Sequence, residues 1–387
     1  MPEISPEQPL KGLVAVELGT SVAAPTATMI LAELGADVIK IENPRGGDDA
    51  RAWGPPFVNG VGTNYVAINR NKRSAAVDLK DEKQRDALRK FIFDRADIVV
   101  QNLRAGVVAK LGLDAATLTK AKPSLIYCNL NAFGAAGPRA DKPGYDPLMQ
   151  AFGGIMSITG HDGDAPVRVG PAVVDQGSAM WIVIGVLAAL HRRTATGKGT
   201  IVDGSLYETA LAWVGIPALQ YLASEPRRAP RRLGSENIAL APYKAFEAQN
   251  GWVVIAAGND GQFSRLAATL GHPEWADDPR FKTNPDRVRN RKDINGLVAA
   301  VIATAPRDHW QETFDAAGVP CAPVLTIDEV IAHPQSHALG MLQDAPDGGP
   351  PLMGLPLSFD GVRPPLRNSA PALGNATDVV LGAKVKP

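Results

Sequence analysis

The sequence predicts an α/β fold, in which a doubly wound parallel sheet forms a large domain and a smaller α+β domain follows it. In the first half of the chain, short apolar runs typical of strands alternate with segments that have the spacing of amphipathic helices. From about residue 241 this alternation gives way to a strand, a turn and a second strand, followed by helical segments. With 387 residues, the chain is long enough to build two hydrophobic cores.

The elements of the first half can be placed in order along the chain. Strands are predicted at residues 12–18, 36–42, 74–80, 97–103, 124–130 and 200–206, and helices at residues 26–34, 81–96, 173–193 and 207–224. Strands separated by helices are expected to lie parallel, with both faces of the sheet covered and with right-handed crossovers. Long segments rich in Gly and Pro, at 43–62 and 132–147, interrupt the pattern, and loops of such length often carry function.

The second domain is predicted to begin after a linker. Residues 225–237 are rich in Pro, Arg and Gly, which break regular structure, and a turn at Gln249–Gly251 then separates two strands. From Gly340 the chain is again rich in Pro and Gly and is expected to return to the large domain. We therefore predict a large domain from 1–224, a linker and small domain from 225–325, and a return segment from 326–387 that completes the large domain.

Composition excludes several classes of protein. Lys and Arg total 40, and Asp and Glu total 40, so the chain lacks the basic excess of a general nucleic-acid binder. Its two cysteines form no CxxC pair and its six histidines show no metal-ligand spacing, so we expect neither a disulfide nor a metal site. The N-terminus has no apolar core of a signal peptide, and the apolar run 179–190 is shorter than the roughly 20 residues that span a bilayer. We expect a soluble cytoplasmic protein with no membrane partner.

Three common nucleotide and hydrolase motifs are missing. The loop after the first strand, residues 19–25, lacks the GxGxxG of dinucleotide-binding folds. A nicotinamide-dependent oxidoreductase therefore stays open only as an alternative, and failure to bind NAD(P) would remove it. The TGKGT at 196–200 resembles the end of a phosphate-binding P-loop, but Arg192 stands where its first glycine is required. There is no GxSxG, so a hydrolase nucleophile elbow is not supported.

Five stretches in order carry a family resemblance. They are LGADVIKIENPRGGDDAR, NRNKRSAAVDLK, GYDPLMQAFGGIMSITG, VDQGSAMWIVIGVLAALHRRTATGKG and GVPCAPVLTIDEV, and together they resemble the class III coenzyme A transferases from about Leu10 to about Leu381. Within that family the likeness is greatest to the glutarate-type enzymes, at 47–57, 241–247 and 287–292. The resemblance implies a Rossmann-like large domain, an interlocked homodimer, and coenzyme A and acyl-CoA as substrates with no permanently bound cofactor.

Asp175 is the candidate catalytic residue. It precedes a long apolar helix, where an aspartate can act as N-cap and where the helix dipole favours an ionised carboxylate. The residues alone leave a plain capping role open. The resemblance implies that Asp175 is a nucleophile that attacks an acyl-CoA, expected to be succinyl-CoA. The attack would form first an acyl anhydride and then an aspartyl-CoA thioester. A carboxylic acid, expected to be dicarboxylic, would then accept the coenzyme A.

The resemblance also assigns binding residues. The positions expected to contact coenzyme A are Asn43, Val77, Lys80, Asn102, Leu103, Arg104, Lys110, Lys142 and Tyr145. Those expected at the substrate pocket are Val22, Arg51, Trp53 and Asp146. The family often has arginine where Asn43 and Lys110 stand, and Val22 replaces a glutamine of the formyl-CoA enzyme, which argues against formyl-CoA:oxalate exchange. Because a guanidinium pairs with a carboxylate through two hydrogen bonds, we hypothesise that Arg51, Arg287 or Arg289 holds the distal carboxylate of the acid.

Two further alternatives stay open. The 2-methylacyl-CoA racemases share the fold and use a His-Asp pair, but Tyr145 replaces that histidine here, and the nearest histidine in sequence to Asp146 is His161. A coenzyme A-binding protein without catalysis is the other alternative, and the intact Asp175 argues against it.

Overall fold

A computed structural model of the protein describes residues 5–382, and the chain divides there into two compact units. The first unit contains the residues up to 155, 168–223 and those from 333 onward, and the second contains 156–167 and 224–332. The linker and small domain were predicted to extend over residues 225–325. The long segment of the second unit extends over residues 224–332. Residues 156–167, which the sequence analysis assigned to the large domain, belong to the second unit.

The strands are β1 (Val14–Leu18), β2 (Asp37–Glu42), β3 (Phe57–Val58), β4 (Val61–Gly62), β5 (Lys72–Ala76), β6 (Ile98–Gln101), β7 (Ile126–Asn131), β8 (Ile201–Ser205), β9 (Tyr243–Ala248), β10 (Gly251–Ala256), β11 (Cys321–Pro323), β12 (Leu342–Gln343) and β13 (Leu352–Met353). The helices of the first half are α1 (Ala23–Glu33), α2 (Thr63–Asn69), α3 (Glu82–Arg95), α4 (Val107–Lys110), α5 (Ala115–Ala121), α6 (Asp146–Phe152), α7 (Ile155–Ile158) and α8 (Val173–Thr196). The remaining helices are α9 (Leu206–Trp213), α10 (Gly215–Ala223), α11 (Asp260–Thr269), α12 (Asn284–Arg289), α13 (Arg291–Ile302), α14 (Arg307–Ala317), α15 (Ile327–Ala332), α16 (Pro334–Ala338) and α17 (Thr377–Leu381).

Six parallel strands form the main sheet of the first unit, in the order β5-β2-β1-β6-β7-β8. The predicted doubly wound α/β fold is therefore confirmed. Successive strand side chains point to opposite faces, so Ala15 packs with α1 and α8 on one face, and Val16 packs with α3 and α5 on the other. From β1 the strand order proceeds through β2 to β5 toward one edge of the sheet, and from β6 it proceeds through β7 to β8 toward the other edge. The order therefore reverses between β1 and β6, which is the topological switch point of the sheet.

Several element boundaries differ from the prediction. Helix α1 begins at Ala23 rather than at residue 26, because Pro25 lies in the first turn, where the missing N–H of a proline costs nothing. The single helix predicted at 207–224 is divided at Val214 into α9 and α10. The β3–β4 hairpin and α2 were not predicted, since the segment that holds them is dominated by Gly, Pro and charged residues.

Helix α8 is longer than its apolar run indicated. At 24 residues it is long and apolar enough to cross a membrane by length and composition alone. Half of its most apolar window is buried, against α1, β7, β8 and α9 of the same unit. This burial is typical of the central helix of a folded domain.

The second unit is built on an antiparallel sheet with the order β11-β10-β9. Strands β9 and β10 are joined by the predicted two-residue turn, and Gly251 pairs with Ala248 directly across it. Phe246, Val253 and Ile255 of this sheet pack with α11, α13 and α14 in a separate hydrophobic core. The prediction of a smaller α+β domain agrees with this arrangement.

The outer edge of the main sheet is covered by the C-terminal segment of the first unit. Strand β5 lies at one end of the sheet, and the Ser74 N–H donates to Asn375 Oδ1 at 2.8 Å and the Ala76 N–H to Thr377 Oγ1 at 2.9 Å. The Ala376 N–H donates to the Ser74 carbonyl at 2.7 Å. Backbone groups that an edge strand normally leaves unpaired are therefore satisfied by residues about 300 positions away in sequence.

Candidate active site

A cavity of about 210 Å³ opens at the carboxyl ends of β1, β6 and β7, beside the switch point of the sheet. We call it the nucleophile cavity, after the role predicted for Asp175. It is lined by Thr20, Ser21, Val22, Ala23, Asn102, Leu103, Arg104, Ala105, Leu130, Asn131, Ala132, Ala140, Asp141, Lys142, Pro143, Gly144, Tyr145, Asp175 and Leu206. A second cavity of about 210 Å³, the adjoining cavity, shares Thr20 and Leu103 with it and extends along the ends of β2 and β5.

Most of the predicted site residues lie in these two cavities. The nucleophile cavity brings together Val22, Asn102, Leu103, Arg104, Lys142, Tyr145 and Asp175. The adjoining cavity holds Asn43, Val77, Lys80 and again Leu103. Four predicted residues, Arg51, Trp53, Lys110 and Asp146, line neither cavity.

Asp175 lies inside α8, which corrects its predicted position as the N-cap. The helix begins at Val173, so Asp175 is its third residue, and Ala172 at the cap position offers no side-chain acceptor. The carboxylate of Asp146 takes over this function, because its Oδ2 accepts the N–H of Val174 at 2.8 Å and that of Asp175 at 3.2 Å. Asp146 therefore supports the first turn of α8 from outside the cavity.

The electrostatic setting of Asp175 is also opposite to the expectation. Its side chain is only 7% exposed, and no hydrogen-bond donor among residues 5–382 reaches its carboxylate. Burial, and after it the negative charge of Asp146, raise the pKa of Asp175 to about 7. Asp175 is therefore a carboxylate that takes up a proton near neutral pH.

The loop after β1 is fixed by two side chains from other segments. Asn102 Oδ1 accepts the Thr20 N–H and Asn102 Nδ2 donates to the Thr20 carbonyl, each at 2.9 Å. Ser21 has a φ of 68°, rare for a residue with a side chain, and its N–H donates to Asp48 Oδ1 at 3.1 Å. The Asn102 amide thus holds the wall of the nucleophile cavity, which the sequence did not reveal.

A network of fully buried charges lies beneath this loop. Glu17 on β1 binds Lys40 at 2.6 Å and Lys72 at 2.9 Å, and Lys40 also binds Asp48 at 2.8 Å. Burial alone would favour the neutral forms, but the two lysines hold the pKa of Glu17 below its usual value. The pKa of Lys72 is lowered to about 8, chiefly by burial. The sequence signal for this network is a charged residue inside each apolar run of β1 and β2.

Arg51, predicted at the substrate pocket, lines neither cavity and contacts residues of the fold. Its guanidinium binds Glu42 through two hydrogen bonds, at 2.8 and 2.7 Å, and also donates to the hydroxyl of Tyr65. Since these bonds occupy the fork that would grip a carboxylate, Arg51 is a structural residue of the segment after β2.

The other two candidate arginines are engaged in a similar way. Arg287 is fully buried in the second unit, where it donates to the carbonyls of Ala241 and Phe281 and forms an ion pair with Asp260. Arg289 pairs with Asp286 on the same helix. Arg287 is fully engaged, whereas Arg289 is an exposed side chain with one ion pair, and neither arginine lines either cavity.

Trp53 and Lys110, predicted at the substrate pocket and at the coenzyme, line neither cavity. Trp53 ends a short 3₁₀ turn at Asp49–Ala52, and Lys110 is the exposed last residue of α4. The cationic groups that do line the cavities are Arg104 and Lys142 beside Asp175, and Lys80 in the adjoining cavity. Within residues 5–382, no group of three potential metal-binding side chains comes together.

Comparisons with known proteins agree with this geometry. The family model for CoA-transferase family III matches residues 10–377. A succinate–glutarate CoA-transferase of Agrobacterium fabrum is 38% identical over 90% of this chain and 88% of its own length. An acetyl-CoA:oxalate CoA-transferase of Acetobacter aceti is 36% identical over 95% and 94%. The crystal structure of a CAIB/BAIF family protein from Brucella suis superposes with a TM-score of 0.85 at 38% identity, over 97% of this chain and 98% of that one.

Proposed function

The chain belongs to CoA-transferase family III, and from this premise we propose that it is a cytoplasmic enzyme that moves coenzyme A from succinyl-CoA to a dicarboxylic acid. The observation that carries the proposal is the carboxylate of Asp175, which is buried, lines the nucleophile cavity and has no hydrogen-bond donor among the described residues. A carboxylate with no protein partner at the switch point of a parallel sheet is available to react with a bound ligand.

The proposed reaction is a double exchange at Asp175. A carboxylate oxygen attacks the thioester carbon of the donor, the C–S bond breaks, and an acyl-aspartyl anhydride and the CoA thiolate result. The thiolate then attacks the aspartyl carbonyl carbon, which releases the donor acid and leaves an aspartyl-CoA thioester. The acceptor carboxylate attacks this thioester, and the expelled thiolate attacks the acceptor carbonyl of the new anhydride. Acceptor-CoA and free Asp175 result, and no water is consumed.

The raised pKa of Asp175 suits this chemistry. A more basic carboxylate is a stronger nucleophile, and with a pKa of about 7 half of the Asp175 side chains are ionised at pH 7. The burial that raises the pKa also limits access of water to the anhydride and the thioester, both of which water would hydrolyse.

The two cavities together offer a path for the coenzyme. We assign the adenosine end to the adjoining cavity, with Asn43, Val77 and Lys80, and the thioester end to the nucleophile cavity beside Asp175. Phosphate oxygens lying between the two would meet Arg104, since a guanidinium pairs well with phosphate. Lys142 on the opposite loop is the other cation at this mouth.

The acceptor is inferred from the relatives. Their printed names include glutarate and oxalate, which are both dicarboxylic acids. Because Arg51, Arg287 and Arg289 line neither cavity, the second carboxylate of the acceptor needs a cation of the cavity itself. Arg104 and Lys142 are the candidates that line it.

A panel of acceptor acids tests the substrate class. With succinyl-CoA as donor, we expect kcat/KM for glutarate and oxalate to exceed that for monocarboxylic acids of equal chain length by about 10- to 100-fold, the value of one charge-assisted hydrogen-bond pair. Equal turnover of both kinds of acid would contradict a dicarboxylate site.

Hydroxylamine added to enzyme and acyl-CoA should leave a hydroxamate on Asp175, detectable by peptide mass spectrometry. Bound acyl-CoA without a hydroxamate would instead indicate a protein without catalysis, and α-proton exchange in deuterated buffer would indicate a racemase.

We further propose that a second copy of the chain covers one face of the first unit. None of the nine residues of α10 is buried, although the helix is rich in apolar side chains, and large exposed apolar surfaces usually mark an interface. The exposed apolar side chains of α8, α9 and α10 are Met180, Trp181, Ile184, Leu187, Leu211, Trp213, Ile216, Leu219 and Leu222.

Replacing both Leu219 and Leu222 with glutamate tests this interface. We expect sedimentation to report a dimer for the wild type and a monomer for the double variant, because two buried carboxylates without partners would oppose association. The matched control is a double charge reversal on α3, Lys83→Glu with Lys90→Glu, which should leave the mass unchanged. A wild-type protein that sediments as a monomer at micromolar concentration would contradict the proposal.

A further inference from the structure

We propose that Asp146 is a positioning residue of the reaction, whose carboxylate fixes the first turn of α8 and whose charge acts on Asp175. This inference rests on the proposed function of Asp175 as the nucleophile. It also replaces the expectation that Asp146 contacts the substrate, since Asp146 is 4% exposed and lines neither cavity.

The geometry links three segments through one carboxylate. Asp146 is the first residue of α6, and its Oδ2 accepts the N–H groups of Val174 and Asp175, at 2.8 and 3.2 Å. Its Oδ1 accepts the amide N–H of Gln150, one turn further along α6. The Oε1 of Gln150 in turn accepts the Val169 N–H at 2.8 Å. The entry loop of α8 and its first turn are therefore both attached to α6.

This arrangement supplies what the local sequence of α8 lacks. The first N–H groups of a helix have no partner within the helix, and a Ser, Thr, Asp or Asn at the cap normally satisfies them. Ala172 occupies that place and makes no side-chain bond. Because Asp146 accepts the Asp175 N–H itself, any movement of Asp146 displaces the backbone of the nucleophile directly.

The two carboxylates differ in their hydrogen bonding. The Asp146 carboxylate accepts three hydrogen bonds, whereas the Asp175 carboxylate receives none from the described residues. Burial, and after it the negative charge of Asp146, raise the pKa of Asp175 to about 7. The other charged or titratable groups that line the cavity are Arg104, Asp141, Lys142 and Tyr145. All four are exposed and lie within residues 104–105 and 140–145, where solvent screens their charge.

Asp146→Asn separates the charge from the hydrogen bonds. The amide oxygen can still accept from the first turn of α8, while the negative charge is removed. We expect the acid limb of the pH–kcat/KM profile to move down by about one pH unit, because burial continues to act on Asp175. For that shift, the ratio of variant to wild-type activity rises about fivefold between pH 8 and pH 6. A purely structural effect would lower activity by the same factor at both values.

Two companion variants complete the test. Asp146→Ala removes charge and acceptor together, and we expect a further 10- to 100-fold loss of kcat relative to Asp146→Asn, with a lower melting temperature. Asp141→Asn removes a carboxylate that lines the same cavity but does not contact α8, and its acid limb should stay at the wild-type pH. An acid limb of Asp146→Asn that coincides with that of the wild type would overturn the proposal, as would equal kcat values for Asp146→Asn and Asp146→Ala.

The titration of Asp175 can also be followed without turnover. In protein labelled with ¹³C at aspartate carboxyl groups, the resonance of Asp175 is the one missing from Asp175→Asn. We expect its midpoint to fall in Asp146→Asn and to stay in place in Asp141→Asn. If no acid accepts coenzyme A from any donor, the proposed function fails, yet this measurement still supports or overturns the action of Asp146 on Asp175.

Discussion

Asp175→Asn is expected to abolish coenzyme A transfer and, at pH 8, to make the protein more stable than the wild type. The amide cannot attack a thioester, so kcat should fall by at least about 10³-fold, as it does when an enzyme loses its nucleophile. The gain in stability follows from the burial of Asp175, because an amide of the same shape does not have to ionise inside the protein.

The pH dependence of this effect has a definite sign. An aspartate titrates near 3.8 in the unfolded chain, whereas the pKa of Asp175 in the folded protein is about 7. Between these values the folded protein holds a proton that the unfolded chain has lost, so the contribution of Asp175 to stability is present below pH 4 and is lost as the pH rises through 7. At pH 8 the ionised side chain costs about 2–4 kcal/mol, and Asp175→Asn avoids that cost.

Urea denaturation of both proteins at pH 4.5, 6 and 8 measures the effect. The difference in the free energy of unfolding between Asp175→Asn and the wild type should grow with pH over this range. Asp141→Asn is the matched control, since it removes a mostly exposed carboxylate from the same cavity and should show no such trend. An Asp175→Asn variant that is less stable than the wild type at pH 8 would refute the assignment of a buried carboxylate with a raised pKa.

Glu17→Gln is expected to destabilise the first unit by at least about 3–5 kcal/mol, the usual cost of breaking a buried ion pair. Glu17, Lys40 and Lys72 all have fully buried side chains, and Glu17 is the partner of both lysines. Its removal leaves two buried cations with only Asp48 to balance them. Desolvation of the ammonium groups then opposes folding without the attraction that offset it.

The control for Glu17 is a pair of opposite charge at the surface. Lys90 and Asp94 lie four residues apart on α3 and are more than half exposed, so Asp94→Asn should scarcely move the urea midpoint. Replacing Glu17, Lys40 and Lys72 together by methionine, with Asp48→Asn, should recover most of the lost stability, because no charge of the network then remains buried without a partner. A single Glu17→Gln variant with the wild-type midpoint would contradict a network that supports the fold.

The periodicity of the sequence was sufficient for the sheet but not for the contacts of the site. Apolar runs of period two and helical segments located β1, α1 and β2 to within a few residues, because burial on both faces of a parallel sheet leaves a strong local pattern. The family resemblance singled out Asp175, and the cavity brought seven predicted residues to one place. Local sequence could not reveal that Asp146 caps α8, since the two segments are 28 residues apart and meet only in the folded chain.

The Arg51 prediction shows why residue type alone does not locate a partner. Arg51 was chosen because guanidinium suits a carboxylate, and it does bind one, but the carboxylate is that of Glu42. Residue type predicts which chemistry a side chain favours, whereas the partner is decided by which strands and loops become neighbours. Asn102 does line the nucleophile cavity, but the sequence did not reveal that its amide also binds the backbone of Thr20.

The covered edge of β5 has a consequence for the order in which the protein can mature during synthesis. All six strands of the main sheet have been translated by Ser205, but the residues that bond to the backbone of β5 are Asn375, Ala376 and Thr377. Throughout the synthesis of the second unit, the nascent chain therefore carries a sheet with one open edge, to which strands of other chains can add. The β5 edge can close only after residues 375–377 have been made, so its protection from aggregation comes later than the synthesis of the second unit.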